Sequence, residues 1–371
     1  MEEKSYTMSR NIVFLNTHFS WGGGENWTLL TAKGLADRGH NVWVAGRQDS
    51  EIIKRAKAKG LRTEIVNLHN TLSCLNPVKI FSFKSFLEEN NIEVLFLNLS
   101  RDRKFGAITG ALADVERIIY RRGVDRPLKK RFYSNWLYGT VLTDIIANSK
   151  STKENVMKNL KGILNKEKIK LIYNGVEIPK NIEPGFSLRE DYNINESDKI
   201  LVNVGRLFPE KGHDLLLAGM KKLNRLNQSW KLFIIGEGDE RDKIERLISE
   251  YELDDQVYLT GFVDNVDEYL AQADLMVHSA RIEGFGLVLV EAMATGLPVV
   301  AVAASNIPEI VQDGEVGLLA KEENPQDLAE KVNQLLKDDD LRTTYASNAK
   351  DYVKKNFSIE KMVNQYEELI G

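Results

Sequence analysis

Short apolar runs that alternate with helical stretches constrain the fold of this chain more than any other feature. The runs at 11–16, 41–46, 93–98 and 144–148 are rich in β-branched residues, and segments with helical periodicity lie between them. Strands that alternate with helices form a parallel sheet covered by helices on both faces. The sequence therefore predicts two doubly wound α/β domains in tandem, because the alternation begins again further along. The second series of apolar runs is at 199–205, 231–236, 256–261, 274–280 and 298–303.

A polar segment separates the two series of strands. Residues 178–198 contain two prolines, a glycine and many polar side chains, which is typical of a linker. A chain of 371 residues is also long enough for two domains. We therefore predict an N-terminal domain at 1–180, a C-terminal domain at 181–356 and a final helix at 357–371.

Composition excludes several classes of protein. The single cysteine, Cys74, rules out a disulfide framework and a multi-cysteine metal site. The N-terminus is acidic and polar, unlike a signal peptide. The apolar run Ala292–Ala304 is interrupted by Gly296 and Pro298 and is too short to cross a bilayer. We expect a cytoplasmic protein, and a peripheral position at the inner face of the cytoplasmic membrane stays open.

Charge is divided unevenly along the chain. Residues 1–177 carry 29 basic and 18 acidic side chains, whereas residues 178–371 carry 21 and 36. A basic surface attracts anionic lipid, nucleic acid or phosphorylated substrates, although a solvated face balanced by the acidic half would also explain the numbers. We favour an anionic partner. The basic side chains are densest at Arg101, Arg103 and Lys104, and at Arg117, Arg121, Arg122, Arg126, Lys129, Lys130 and Arg131.

Two cations follow the first strand of the C-terminal half. Arg206 and Lys211 flank a short loop that opens a helix, directly after the run at 199–205. The free amides of a helix N-terminus favour an anion, and an arginine fork and a lysine together suit a diphosphate. An ordinary charged surface loop fits the same residues equally well.

Two carboxylates follow a later strand of the same half. Glu283 and Glu291 come after the run at 274–280, and each can accept hydrogen bonds from a polyol. Gly284 and Gly286 allow the backbone to approach a ligand closely. The alternative is that Glu283 caps a helix and Glu291 is solvated.

These residues belong to a longer pattern. It reads E-G-F-G-L-V-L-V-E-A-M-A-T-G-L-P-V-V-A at 283–301, with G-R-L-F-P-E-K-G at 205–212. It continues in I-Y-N-G-V at 172–176, G-E-G at 236–238 and G-F-V at 261–263. The pattern resembles the retaining nucleotide-sugar glycosyltransferases of family 4. The resemblance implies the α/β fold called GT-B: two Rossmann-like doubly wound domains that face a cleft, and a last helix that returns to the first domain.

The resemblance also implies roles for individual residues. Arg206 and Lys211 would hold the donor diphosphate and stabilise the charge of the leaving group. Glu291 would bind the ribose hydroxyls, and Glu283 would contact the donor sugar. Further donor contacts would come from Gly22, Gly23, Val263, Gly284, Phe285, Gly286 and Leu287.

The acceptor side departs from the family pattern. Many relatives have a His or Asp after the fourth strand, but residues 98–103 of this chain contain no His. Asp102 is the nearest candidate for the catalytic group, and Arg101 could instead meet an anionic acceptor. His18, after the first strand, could reach the site or could be an ordinary loop residue. No Asp-X-Asp signature lies in a suitable loop, so we expect no metal and no cofactor apart from the nucleotide-sugar donor.

The leading prediction is a retaining, metal-independent glycosyltransferase. It would move a sugar from a nucleoside-diphosphate sugar to a glycan or lipid-linked acceptor in cell-envelope polysaccharide or lipopolysaccharide synthesis. We expect the acceptor to be anionic and no nucleic acid to be a partner. A dinucleotide-dependent oxidoreductase is the second reading, although Arg241 stands where a G-X-G-X-X-G fingerprint beginning at Gly236 needs its third glycine. A non-catalytic nucleotide-sugar-binding protein is the third, and the presence of both glutamates and both cations disfavours it.

Overall fold

The computed structural model describes residues 8–70, 72–124, 128, 130–179, 182–226 and 229–371. The chain divides into two compact units. Unit 1 comprises the residues up to Gly175 together with Ile359–Gly371, and unit 2 is Val176–Ser358. The predicted boundary at 180 and 181 falls outside the described residues, shortly after the observed break.

Unit 1 is built on a parallel sheet of seven strands. Its first strand lies in the interior of the sheet, paired with the second strand on one side and the fourth on the other. The order across the sheet is 3-2-1-4-5-6-7. The strands are β1 (Asn11–Leu15), β2 (Asn41–Gly46), β3 (Arg62–Ile65), β4 (Val94–Leu97), β5 (Arg117–Arg122), β6 (Asp144–Ala147) and β7 (Ile169–Leu171).

Helices cover both faces of this sheet. Side chains alternate between the faces along β1: Ile12 and Phe14 lie in one apolar core, and Val13 and Leu15 in another. The first core includes the first two helices, and the second includes the next three with a 3₁₀ turn at Leu72–Leu75 and a π-helical segment at Asn135–Val141. The helices are α1 (Gly23–Asp37), α2 (Glu51–Ala58), α3 (Pro77–Glu89), α4 (Ser100–Leu112) and α5 (Lys150–Asn159).

Unit 2 repeats the plan with six parallel strands. Five of them were predicted, and the strand at Gly317–Ala320 was missed. The order across the sheet, numbered along the chain, is 10-9-8-11-12-13. The strands are β8 (Lys199–Val204), β9 (Trp230–Ile235), β10 (Val257–Gly261), β11 (Leu275–His278), β12 (Val299–Val302) and β13 (Gly317–Ala320).

Helices also alternate with the strands of unit 2. They are α6 (Leu188–Asp191), α7 (His213–Leu223), α8 (Arg241–Glu250), α9 (Val266–Ala271), α10 (Leu287–Thr295), α11 (Ile307–Ile310), α12 (Pro325–Lys337) and α13 (Asp339–Asn356).

The last helix, α14 (Ile359–Ile370), belongs to unit 1. It packs on α1, where the rings of Trp27 and Tyr366 lie 5.7 Å apart. Arg38 at the end of α1 also forms an ion pair with Glu367. The tail of the chain therefore completes the core of the unit in which the chain begins.

The two sheets share one topological feature. In each, the first strand lies beside the fourth, and the chain winds away from them in opposite directions. This is the switch point of a doubly wound sheet, and ligands bind there, outside the carboxyl ends of the strands. The loops that matter most are therefore those after β1 and β4 in unit 1, and those after β8 and β11 in unit 2.

Candidate active site

The loop after β8 carries the two predicted diphosphate-binding cations. Arg206 is exposed, and its guanidinium lies 4.9 Å from the centre of the Phe208 ring. Lys211 ends a 3₁₀ turn, and Gly212 follows in a left-handed conformation. A Cβ atom at Gly212 would lie 2.2 Å from the carbonyl oxygen of Ser279, so only glycine lets this loop approach the loop after β11 so closely.

Lys211 and Glu283 join these two loops. Lys211 Nζ donates to Glu283 Oε2 at 2.5 Å, and both side chains are mostly buried. Glu283 Oε1 accepts a second bond from the amide of Gly284 at 3.0 Å, and His278 Nε2 lies 3.5 Å from Oε2. Burial alone would raise the pKa of Glu283, but the charge of Lys211 outweighs it and holds that pKa well below its usual range. The carboxylate of Glu283 is therefore ionised at neutral pH.

The turn from Gly284 to Leu287 leads into α10. Gly286 precedes the helix with φ of 85°, and no side chain caps the first turn, which leaves backbone amides for a ligand. The side chain of Phe285 is buried against Phe357, with ring centres 5.7 Å apart. Therefore, a donor can contact Phe285 only through its backbone.

Glu291 lies further along α10 and differs from Glu283. Among the described residues its carboxylate has no hydrogen-bond or ion-pair partner. Burial, and to a lesser degree the charge of Asp267, raise the pKa of Glu291 to about 7. A partly buried carboxylate without donors has the chemistry to receive a pair of hydroxyls. Val263, one of the predicted donor contacts, is half-buried in the loop after β10.

Two buried histidines beside this site were not singled out from the sequence. His278 is the last residue of β11, and His213 opens α7. The ring nitrogens of His213 have no hydrogen-bond partner among the described residues, and the ring of His278 has only the contact of Nε2 with Glu283. Burial lowers the pKa of both rings, that of His213 to about 4, so both are neutral at pH 7. Both were overlooked in the sequence, because His278 lies inside a predicted strand and His213 directly follows the motif at 205–212.

In unit 1 the predicted catalytic Asp102 is fully buried. Its carboxylate accepts from the hydroxyl and the amide of Thr17, and from the amide of Leu99. Burial raises the pKa of Asp102 to about 6 in spite of these bonds. Its donors come from the protein, and it has no exposed surface, so the structure does not place Asp102 in contact with a substrate. A catalytic role for Asp102 stays a prediction; in the structure this carboxylate ties the loop after β4 to the loop after β1.

The glycine loop precedes α1. Gly22 is the residue before the helix, in an extended conformation, and its carbonyl accepts from the amides of Glu25 and Asn26. Gly23 is the first residue of α1. No side chain caps this helix, so its first amides also remain for a ligand.

A buried polar cluster lies beneath that loop. The guanidinium of Arg121 is stacked 4.4 Å from the Trp27 ring and donates to the side-chain oxygens of Asn98 and Asn174, at 3.1 and 3.0 Å. Burial raises the pKa of Glu25, against the opposing charge of His18. His18 Nδ1 lies 2.8 Å from the carbonyl oxygen of Ser20 and 3.7 Å from Glu25 Oε2. The structure thus adds Glu25 to the candidates of unit 1, and the acidic residue after the glycines was the available signal.

The basic stretch is partly internal, which corrects the predicted basic face. Arg121 is buried in the cluster described above, and Arg103 is buried between the rings of Tyr120 and Tyr138. Arg117 forms an ion pair with Asp144. Arg126 and Lys129 lie outside the described residues. Only the remaining cations can present positive charge to a partner.

Two families match the chain, one in each half. Residues 21–179 match the sequence model of Glycosyltransferase Family 4, and residues 186–352 match that of Glycosyl transferases group 1. Neither match alone covers half of the chain.

Curated relatives agree with these matches. N-acetyl-alpha-D-glucosaminyl L-malate synthase of Bacillus anthracis is 36% identical over 48% of this chain and 47% of its own length. This alignment therefore spans about half of that relative. An uncharacterized glycosyltransferase of Methanocaldococcus jannaschii is 32% identical over 77% of this chain and 78% of its own. A 4-alpha-N-acetylgalactosaminyltransferase of Campylobacter jejuni, whose name specifies a diphospho-undecaprenol-linked acceptor, is 29% identical over 75% and 76%.

Solved structures share the fold over nearly the whole chain. The Anabaena protein HepE, in complex with UDP and glucose, superposes with a TM-score of 0.83 and covers 97% of this chain and 99% of that one, at 24% identity. The chain belongs to glycosyltransferase family 4 and has the GT-B fold. This membership favours glycosyl transfer over dinucleotide-dependent redox chemistry.

The described residues contain neither a membrane-spanning helix nor a metal-binding cluster. None of their helices has the length and apolar character needed to cross a membrane. No three His, Cys, Asp or Glu side chains in the described part of the chain are grouped so as to hold a metal ion.

Proposed function

We propose that this protein is a retaining glycosyltransferase that needs no metal. It moves a sugar from a nucleoside-diphosphate sugar to a glycan or lipid-linked acceptor in cell-envelope polysaccharide or lipopolysaccharide synthesis. One observation carries the proposal: Lys211 pairs with the ionised Glu283 at the switch point of unit 2, and Glu283 lies just before the helix from which the unpartnered Glu291 projects. The UDP and glucose bound to HepE, and the lipid-linked acceptor of the Campylobacter relative, support the two substrate classes.

The cations account for the leaving group. When the bond between the anomeric carbon and the phosphate oxygen breaks, negative charge develops on the diphosphate. Lys211, held by Glu283 in a mostly buried position, has further N–H groups for that charge, and exposed Arg206 can add a guanidinium fork. These two side chains can supply the charge stabilisation for which many transferases use a metal ion.

The carboxylates and backbone account for donor binding. Glu291 accepts hydrogen bonds from the ribose hydroxyls, and Glu283 contacts the sugar. The amides at the start of α10 receive phosphate or sugar oxygens, as an uncapped helix N-terminus can. In a retaining transfer the acceptor oxygen attacks the face that the phosphate leaves. Its proton goes to a leaving phosphate oxygen, so no protein base is required.

Turnover with a panel of nucleotide sugars tests the proposal. Thermal unfolding first identifies the nucleotide, because a ligand at 100 times its dissociation constant adds about 2.7 kcal/mol of stability. The shift should be lost in Glu291→Ala and kept in Glu330→Ala, a control on an exposed stretch of α12. The product of the matching donor should have the anomeric configuration of that donor, measured by NMR, at a rate unchanged by EDTA. A product with the inverted configuration would refute retention, and a loss of activity in EDTA would refute metal independence. Binding without turnover would refute catalysis.

A further inference from the structure

Unit 1 exposes a strip of large apolar side chains beside α4. Leu72, Leu75, Val78 and Phe81 are between 63% and 79% exposed. They follow one another at intervals of three residues along the 3₁₀ turn and the first turns of α3, a spacing that places successive side chains on one side. Four neighbouring apolar side chains form a patch, unlike the single exposed ones that any surface has.

A second apolar group lies around the start of the π-helical segment, which also packs on α4. Phe132 is 99% exposed and packs edge-on against Tyr133, with ring centres 5.2 Å apart. Trp136, at the start of the π-helical segment, is also exposed. Side chains of this kind occupy the boundary between lipid headgroups and acyl chains.

Helix α4 connects the two groups. Cys74 Sγ, within the 3₁₀ turn, donates to the carbonyl oxygen of Arg101 at 3.6 Å. Lys104, one turn further along α4, lies 5.9 Å from the centre of the Tyr133 ring. Together, residues 72–87, 97–113 and 130–143 form one surface, which we call the α3–α4 face. It covers the face of the sheet opposite to α1, α2 and α14.

The charge of the α3–α4 face is positive. Its three segments contain seven lysines and arginines and one carboxylate, Asp102, which is buried and fully hydrogen-bonded. The last turn of α3 adds two exposed carboxylates, Glu88, which pairs with Lys84, and Glu89, so the cations remain in excess. Among the described residues, the side chains of Lys104, Lys130 and Arg131 have no carboxylate within ion-pair distance. Asp125, Arg126 and Lys129 lie outside the described residues and do not enter the argument.

We propose that the α3–α4 face is a docking surface for an anionic phospholipid bilayer. Exposed apolar and aromatic side chains insert at the interface, and unpaired cations attract anionic headgroups. Binding of a nucleic acid would require the positive charge but not the apolar strip. Binding of a protein partner would require the strip but not the excess of cations. The combination fits a lipid surface.

The position of this face relates docking to the proposed function, whose acceptor part it deepens. Helix α4 begins at the switch point of unit 1, so the face adjoins the loops after β1 and β4. An acceptor anchored in the same bilayer is thereby brought to those loops. Lipid binding itself needs neither donor nor acceptor and is measured without them.

Cosedimentation of the full chain with vesicles tests the docking surface. We expect at least tenfold tighter binding to phosphatidylcholine vesicles that contain phosphatidylglycerol than to phosphatidylcholine alone, with a loss at high salt. Val78→Ser/Phe81→Ser and Lys130→Glu/Arg131→Glu should each weaken binding at least tenfold. The matched controls are Lys57→Glu/Lys59→Glu, which makes the same charge change on α2, and Ile65→Ser on β3; they should change binding less than threefold.

Several results would overturn docking. These are equal binding to neutral and anionic vesicles, equal losses in the control variants, or equally tight binding to soluble polyphosphate. The thermal unfolding of every variant, with and without the nucleotide sugar, shows that the fold and the donor site are intact. Vesicle binding without any nucleotide-induced shift would refute the proposed function and leave docking standing, and the reverse result would refute docking alone.

Discussion

The switch points of the two units have the same strand topology, but they differ in whether their charged side chains remain available to a ligand. In unit 1, Asp102 after β4 is tied to Thr17 after β1, and Arg101 donates to the hydroxyl and carbonyl oxygens of the same Thr17, at 2.8 and 2.6 Å. In unit 2, Glu283 after β11 is tied to Lys211 after β8. In both sheets, a polar link thus joins the loop after the first strand to the loop after the fourth strand.

The two links differ in whether hydrogen-bond donors and acceptors remain unused. The acceptor oxygens of Asp102 receive their donors from the protein, and no part of the residue is exposed. Lys211 makes one bond and keeps further donors, while Glu291 nearby has no partner among the described residues. A saturated link stabilises a loop, whereas a link with unused donors and acceptors can bind a ligand. Residue type at a switch point therefore does not reveal function until its partners are known.

Removal of Lys211 should give the largest effect that separates the two switch points. We expect Lys211→Ala to lower kcat by about 10²–10³-fold, the loss typical when one preorganised donor to a developing anion is removed. Steady-state rates with the nucleotide sugar identified above provide the measurement. Lys243→Ala, an exposed lysine paired with Glu240, is the control and should retain full activity. A loss of less than tenfold would mean that the leaving group is stabilised elsewhere.

Removal of Asp102 should act on stability instead. Asp102→Ala leaves the buried amides of Thr17 and Leu99 unpaired, and we expect unfolding to become easier by about 2–4 kcal/mol. Denaturant unfolding measures this, and Asp340→Ala, an exposed acid in α13, should change stability by less than about 0.5 kcal/mol. Donor affinity should be unchanged in both variants. Wild-type stability together with lost turnover would support a catalytic role for Asp102.

The smallest expected effect is the pH dependence of donor binding, which tests whether Glu291 of unit 2 is available to the ligand. Glu291, with its pKa raised to about 7, must ionise to accept hydroxyl hydrogen bonds, so affinity should rise about tenfold between pH 6 and 8. A nucleotide sugar is the suitable probe, because its diphosphate does not titrate in that window. Glu291→Gln should bind weakly and without this pH dependence. A wild-type affinity that is flat with pH would assign the ribose contact to another residue.

The same shift has a consequence for the free protein. Because burial raises the pKa of Glu291 in the folded state above its unfolded value of 4.5, the neutral form favours folding. That contribution is complete below about pH 4.5 and is lost as pH rises through about 7. Glu291→Gln should remove this part of the pH dependence of stability.

Strands and helices with strong apolar patterns were predictable to within a few residues. The run at 41–46 matches β2, and the predicted final helix at 357–371 matches α14. The elements that were missed carry charge or are short. In β5 the run Ile118-Ile119-Tyr120 is flanked by arginines, and the stretch was interpreted as a basic surface. Helix α13 is mostly polar and shows little apolar periodicity, so the sequence offers no clear signal for it.

The sequence alone determined the fold class and the candidate donor residues, because both depend on local signals: apolar periodicity for the strands, and two separate short motifs, one with the cations and one with the glutamates and their glycines. Tertiary structure alone decided which charged groups are available. Asp102 and Arg121 became internal when loops from distant parts of unit 1 closed around them, and Lys211 and Glu283, 72 positions apart, became partners through the neighbouring strands β8 and β11. Burial and pairing depend on contacts between distant residues, and for this reason the chemistry of the site could be assigned only from the folded chain.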